Sequence, residues 1–483
     1  MMQAKVYQPD RIGQPLFSNP KVTIRQNAQS PILSYGGIVL ARDLMERLEV
    51  AKRIDESIAL LKMHNPYHES DHVLSLLYNF LTGGETLLDL ERLQEDEGLK
   101  RLLGAASIPD PTTAGDFLVR FHDFAIEVFQ RVCARLQDHA ISLLDDERKK
   151  VATIDSDSTI LEVYGRKKEG ADYSYDKRWS YNCLVFSLSE TGDLLHTELR
   201  SGNTYSSVGA AEHLQKIIER LQGQFSHLRY RADSAFYDKD IVEICQSKGV
   251  EFFITADQTK PLMATILGIE EKQWKPLKNR ENSGQAGARK RKKRKERKMK
   301  ISIERKPDTR LKGRSQIASF AYTPKGWGKA FRFVVKRTEI LDTDYKQLYL
   351  DDGMCKYTYH VIVTNSSESA VQVMRIAQQR GNQENLIKDF KYGLGLSHVP
   401  TGFMNANRVY FLIAALAWNI KTWILNLLKV GNGAVLRFKR FLYKWIYQGA
   451  VVSYSGRNGV VLRIENGEYF YRFTRAISEI ANL

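Results

Sequence analysis

The spacing of apolar residues changes character near residue 150. Before it, helical periods dominate. Val73, Leu74, Leu77, Phe80 and Leu81 form one stripe behind Ser70, which the pattern assigns as the N-cap, and Gly83-Gly84 ends that helix. Further helices are predicted over 87–93 and 99–103, the latter stopped by Gly104. Asp110-Pro111-Thr112-Thr113 reads as a turn and cap opening one long helix through Leu136. Beyond 150 the pattern turns β-branched. Strands are expected over 151–163, 181–188 and 194–199, then a helix over 208–221. A strand (228–232), a helix (239–247) and a strand (251–255) follow. Three antiparallel strands followed by βαβ units is the order of a ribonuclease H-like mixed sheet flanked by helices. The expected fold class is therefore α/β.

The rhythm breaks over 258–356, where strand-like 331–337 and 347–350 suggest a β-rich insertion. A strand over 357–364 and helices over 368–379 and 383–392 resume the core. A long apolar helix over 406–428 and three short strands (451–454, 460–465, 469–473) complete the reading. The implied organisation is an N-terminal helical region (1–145), either a helix-turn-helix-like DNA-binding region or a plain helical bundle, then two parts of an α/β core (146–257 and 357–430), the insertion (258–356) and a C-terminal region (431–483). The most apolar stretch, 409–428, is interrupted by Asn419, Lys421 and Asn426. It therefore reads as a buried helix rather than a membrane span.

Charge narrows the class. Lys plus Arg number 72 and Asp plus Glu 56, a net of +16 over 483 residues. Residues 289–300 carry ten cations and one anion, and the rest of the chain is still basic. A polyanionic partner is implied, nucleic acid before an anionic membrane. Arg291, Lys292, Lys293 and Arg294 in that run are candidate phosphate contacts, the alternative being a solvated loop. Four scattered cysteines (133, 183, 245 and 355) support neither a disulfide scaffold nor a zinc ribbon. The opening residues lack the apolar core of a secretory signal, so a cytoplasmic, nucleoid-associated location is expected. His64, His68 and His72 mimic a metal-binding helix face, but Pro66 interrupts it. No Gly-rich phosphate loop is complete, so a nucleotide cofactor is not indicated.

Carboxylates carry the candidate chemistry. Asp155 and Asp157 interrupt an apolar strand and, two residues apart, share one of its faces. Asp233 ends a later strand, and Glu384 heads a helix. Three carboxylates from such elements can hold two divalent cations ~4 Å apart, an arrangement suited to phosphodiester transfer. Oxygen ligands favour Mg²⁺, with Mn²⁺ as a substitute. On the residues alone, either Asp155 or Asp157 fits as the first ligand. At ~100° per residue, Arg380, Glu384 and Lys391 fall within ~40° on a continuous helix, provided Gly381 does not break it. Lys388 lies on the same segment.

Three segments together resemble the DDE transposases of bacterial insertion sequences, the cut-and-paste group with a β-rich insertion. These are 154–159, with its Asp-Ser-Thr; Arg231-Ala232-Asp233-Ser234-Ala235-Phe236-Tyr237; and Arg380-x3-Glu384-x6-Lys391. Supporting matches are 199–203, 363–365, 405–408, 110–113 and 115–117. A tyrosine of the family signature is replaced by Ala377. The resemblance implies Asp157, Asp233 and Glu384 as catalytic metal ligands for two Mg²⁺, with Asp157 favoured over Asp155. It implies Arg380 and Lys391 as grips on the transposon end, and a homodimer acting on paired inverted repeats and target DNA. It also implies an insertion aromatic, Trp274 or Trp327, that stacks on a base, against a packing role for either. Two other activities keep the same carboxylates: a nuclease without strand transfer, and an inactive DNA-binding derivative.

Overall fold

The computed structural model describes residues 31–64, 66–277, 315–339, 357–429, 436–455, 459–464 and 468–481. The basic run with Arg291, Lys292, Lys293 and Arg294, and the expected strand over 347–350, lie outside the described residues.

A ten-stranded mixed sheet forms the centre. Val151–Glu162 pairs antiparallel with Trp179–Leu188, which pairs antiparallel with Leu194–Ser201. On its other side Val151–Glu162 runs parallel to His227–Ala232, which runs parallel to Glu251–Thr255. The order in space, third–second–first–fourth–fifth, is the ribonuclease H arrangement expected from the sequence. The near-continuous apolar runs of these strands reflect burial on both faces.

Three expectations need correction. The helix predicted from Pro111 to Leu136 is two helices, Pro111–Val119 and Asp123–Ser142. No Gly or Pro marks the corner. Phe121 is buried there, edge-on to Phe117, and His122 caps the second helix by accepting from the Ala125 N–H. Ser70 is not the N-cap of its helix. His68 holds that position in Glu69–Leu81, and Ser70 instead bonds Asp55 through both its backbone N–H and its hydroxyl. Residues 469–473 belong to the helix Glu468–Ala481, not a strand. Their aromatic content suggests β structure, but Phe473, Ala476 and Ile480 form a helical stripe and are buried.

The insertion does not fold apart from the sheet. Its strands Ser315–Tyr322 and Phe331–Glu339 extend the sheet beyond Tyr357–Thr364, pairing antiparallel throughout. The helix Met404–Leu427 is long and apolar enough to cross a membrane, but it is buried within the fold. One continuous core joins it to the N-terminal helices and to the segment after residue 436. Two of its three polar interruptions have partners in the hairpin at 189–194, while the Lys421 ammonium lies over the Trp418 ring at 3.6 Å. Asn419 accepts from the Leu194 N–H and donates to the Leu194 carbonyl, and Asn426 donates to the Thr191 carbonyl. Trp418 and Trp423 donate to Gly192 O and Asp193 Oδ1. The helix thus holds the sheet at the base of the candidate site.

Candidate active site

The strand register builds the site in two layers. Asp155 lies opposite Arg231 across the parallel pair Val151–Glu162 and His227–Ala232. Two residues further along come Asp157, on the same face of its strand, and Asp233, just past the end of His227–Ala232.

The lower layer is closed. Asp155 and Arg231 are both buried and form a bidentate pair, with Nε–Oδ1 and Nη2–Oδ2 each 2.6 Å. Arg231 also donates to the Ile376 carbonyl (3.0 Å) and the Ser189 hydroxyl (2.8 Å). Gln383 Nε2 donates to the backbone carbonyl of Asp155 (2.8 Å). The end of the helix Ala370–Gln378 and the start of Gly381–Gly393 are therefore both anchored on this pair.

The upper layer is open and acidic. Arg380, at the N-cap of the helix Gly381–Gly393, reaches three carboxylates. Its Nη2 lies 2.9 Å from Asp157 Oδ2 and 3.2 Å from Asp233 Oδ2, and its Nη1 lies 3.7 Å from Glu384 Oε1. Asp157 and Asp233 are thus separated by no more than the sum of those first two contacts. Gly381 does not interrupt the helix, so the angular alignment of Arg380 and Glu384 holds. Exposure of the side chains rises from Asp157 (16%) to Asp233 (36%) to Glu384 (67%). Burial pushes the Asp157 carboxyl up to about 6, Arg380 opposes this, and the charges of Asp233 and Glu384 add to it. Asp233 accepts from the Ala235 N–H and so caps the short turn Ser234–Phe236. A carboxylate that the sequence reading passed over, Asp257, is held near by its bond to Ser234, and its own carboxyl is pushed up by burial.

A family model for the transposase DDE domain, group 1, matches residues 14–483. The chain belongs to that family. It is a DDE transposase, a family of divalent-metal-dependent enzymes, with the mixed α/β sheet that membership implies. No curated protein matches the chain. Among solved structures, the cryo-EM structure of a piggyBac transposase synaptic complex with hairpin DNA is similar at 11% identity and a TM-score of 0.39. The match covers 86% of this chain and 81% of that one.

The remaining sequence candidates fall in different places in this transposase. Lys391 donates to the Ile160 carbonyl (2.7 Å), fastening the Glu384 helix to the Asp157 strand. Lys388 is exposed. It lines a cleft of about 990 Å³ together with Arg437, Lys439 and Arg440. Asp157, Asp233 and Glu384 are outside the lining of that cleft. Trp274 is 6% exposed, with the Arg337 guanidinium over its ring at 4.2 Å, so it packs rather than presenting a face to solvent. Trp327 is half-buried, tilted against Tyr237, four residues after Asp233, with centroids 4.8 Å apart, and edge-on to Phe331. His64 and His68 stack on one another while His72 stacks on Phe117, so the three histidines do not converge.

Proposed function

We propose that Asp157, Asp233 and Glu384 are the catalytic carboxylates of this transposase, holding two Mg²⁺ ions for cleavage at transposon ends and strand transfer into target DNA. The observation that carries this reading is the convergence of three carboxylates, from two strands and a helix, on the single guanidinium of Arg380. Such a concentration of negative charge, with Asp157 pushed up to about 6, calls for more cation than one arginine supplies. The all-oxygen donor set fits a hard divalent ion. Bound there, the ions would supply activation of the attacking oxygen and charge stabilisation at phosphorus.

The chain's own groups take complementary roles. Asp157 and Asp233, fixed by the strands, form the rigid wall of the site. Glu384, on the helix and most exposed, adjusts to the incoming phosphate. Asp155 belongs to the scaffold, since both its oxygens are committed to Arg231. Arg380 lies where it can pass from the carboxylates to a DNA phosphate. Lys388 with Arg437 and Arg440 offers a basic track for double-stranded DNA along the adjacent cleft. Trp327, half-buried beside Tyr237 and less enclosed than Trp274, is the insertion aromatic that would meet a base near Asp233. A homodimer would supply one site for each transposon end.

The test is cleavage and joining of a labelled inverted-repeat DNA with Mg²⁺. Asp157→Asn, Asp233→Asn and Glu384→Gln should each reduce cleavage by about 10³-fold or more while DNA binding persists. Asp155→Asn should retain cleavage in the fraction that folds. Full activity in Asp157→Asn would sink the assignment. Cleavage without joining on paired ends would point to the nuclease reading instead.

A further inference from the structure

We propose a second, transition-metal site on the far edge of the sheet, built by His196, Glu198 and His213 and distinct from the acidic site. His196 and Glu198 are two apart on the strand Leu194–Ser201 and so share a face. His213 comes from the first turn of the helix Ala210–Leu221. One ligand atom from each of the three lies within 4.8 Å of the other two. His213 Nε2 is already 3.2 Å from Glu198 Oε2, and the two imidazoles stack with centroids 4.1 Å apart.

A second observation points to a ligand. His196 Nε2 is shielded from solvent and has no hydrogen-bond partner. A buried ring nitrogen left bare is costly unless something binds it. All three residues line a cavity of about 770 Å³ through which an ion can enter. The cations lining that cavity have other partners: Arg408 pairs with Asp123 and Arg131 lies over the Phe124 ring. Arg200 donates to Val208 O and Asn182 Oδ1, Lys216 pairs with Glu212, and Arg220 pairs with Asp138.

Two imidazoles and one carboxylate suit Zn²⁺ with an open fourth position, and do not suit Mg²⁺. Zinc–ligand distances near 2.0–2.2 Å in tetrahedral geometry require a 4.8 Å gap to close by about 1.4 Å, within reach of side-chain adjustment. The consequence is positional. The ion would staple the helix start to the strand and fix the loop at 202–209 between them. The Ser206 hydroxyl of that loop bonds Ser158, the neighbour of Asp157 (2.7 Å).

The experiment titrates chelator-stripped, full-length protein with Co²⁺ and Zn²⁺ in an Asp157→Asn/Asp233→Asn background, which removes the acidic site as a competitor. The expected result is one equivalent of Co²⁺ with visible absorption from nitrogen ligation, displaced by Zn²⁺. His213→Gln should weaken binding by about 100-fold or more, with unchanged circular dichroism. Zn²⁺ should also raise the melting temperature of the parent and not of His213→Gln. No saturable Co²⁺ binding, or binding in His213→Gln and Glu198→Gln as tight as in the parent, would overturn the proposal.

Discussion

Asp155 and Asp157 are two residues apart on one strand, and Arg231 and Asp233 are two apart, the first on its parallel neighbour and the second just past that strand's end. In the lower layer the strands bring an acid opposite a base, with every oxygen of the carboxylate committed and the pair out of solvent. In the upper layer they bring an acid opposite an acid, and a helix adds a third. One layer is neutral and saturated; the other is left with an excess of negative charge. The difference teaches that a run of carboxylates in a buried strand need not act as a unit. The partner across the register decides which member is scaffold and which is chemistry.

The largest expected effect breaks the lower layer. Asp155→Leu leaves the Arg231 guanidinium buried and uncompensated, which should cost about 3–5 kcal/mol in denaturant unfolding. The double variant Asp155→Leu/Arg231→Met removes both charges and should recover most of that loss. Asp157→Asn in the upper layer should leave stability at neutral pH unchanged or raised, because it relieves like-charge crowding. A single Asp155→Leu substitution as stable as wild type would refute the scaffold role.

The next effect is a pH dependence confined to the upper layer. Asp157 has a folded value of about 6 against 3.8 for an ordinary aspartate. Between those values the folded chain holds a proton that the unfolded chain has released. The contribution of this group to stability therefore falls as pH rises through that window. Asp157→Asn removes the dependence. Its stability advantage over wild type should be larger at pH 7 than at pH 4, by ~2–3 kcal/mol. An identical pH profile in the two proteins would show that Asp157 is not held in a crowded, desolvated site.

The same two layers measure how much was legible in the sequence. Strand identity followed from β-branched runs, and Asp155 and Asp157 stood out as carboxylates inside an apolar strand; Asp233 and Glu384 were joined to them by the family resemblance. What separates Asp155 from Asp157 is Arg231, 76 residues away in the chain, and that pairing exists only once the parallel register is set. The site of His196, Glu198 and His213 had a faint local signal, a His-x-Glu on one strand face. Its third member comes from the next element, and the more regular histidine spacing at 64, 68 and 72 drew attention instead. The terminal helix was misread because aromatic residues favour strands on average, while its burial stripe spans more residues than a five-residue window shows. Trp274 and Trp327 could not be told apart by composition. Arg337 over one ring and Tyr237 beside the other decide their exposure.

The smallest effect sharpens the comparison through the metal. Divalent ions should act on the upper layer and leave the lower one untouched. At a concentration tenfold above the dissociation constant, a ligand confined to the folded state adds about 1.4 kcal/mol. For a chain of this length that is a rise of about 1–2 °C in melting temperature. Mg²⁺ or Mn²⁺ should produce the rise in wild type and in any foldable Asp155 variant, and not in Asp157→Asn/Asp233→Asn. Arg380 already neutralises part of the charge at the three carboxylates, so an incoming ion competes with it. Arg380→Ala should therefore respond at lower Mg²⁺ than wild type, although its cleavage activity falls if the guanidinium also grips DNA. Calorimetric scans across a Mg²⁺ series check both points. A midpoint in Arg380→Ala equal to or higher than that of wild type would mean that the arginine helps to assemble the acidic layer rather than competing with the ion for it.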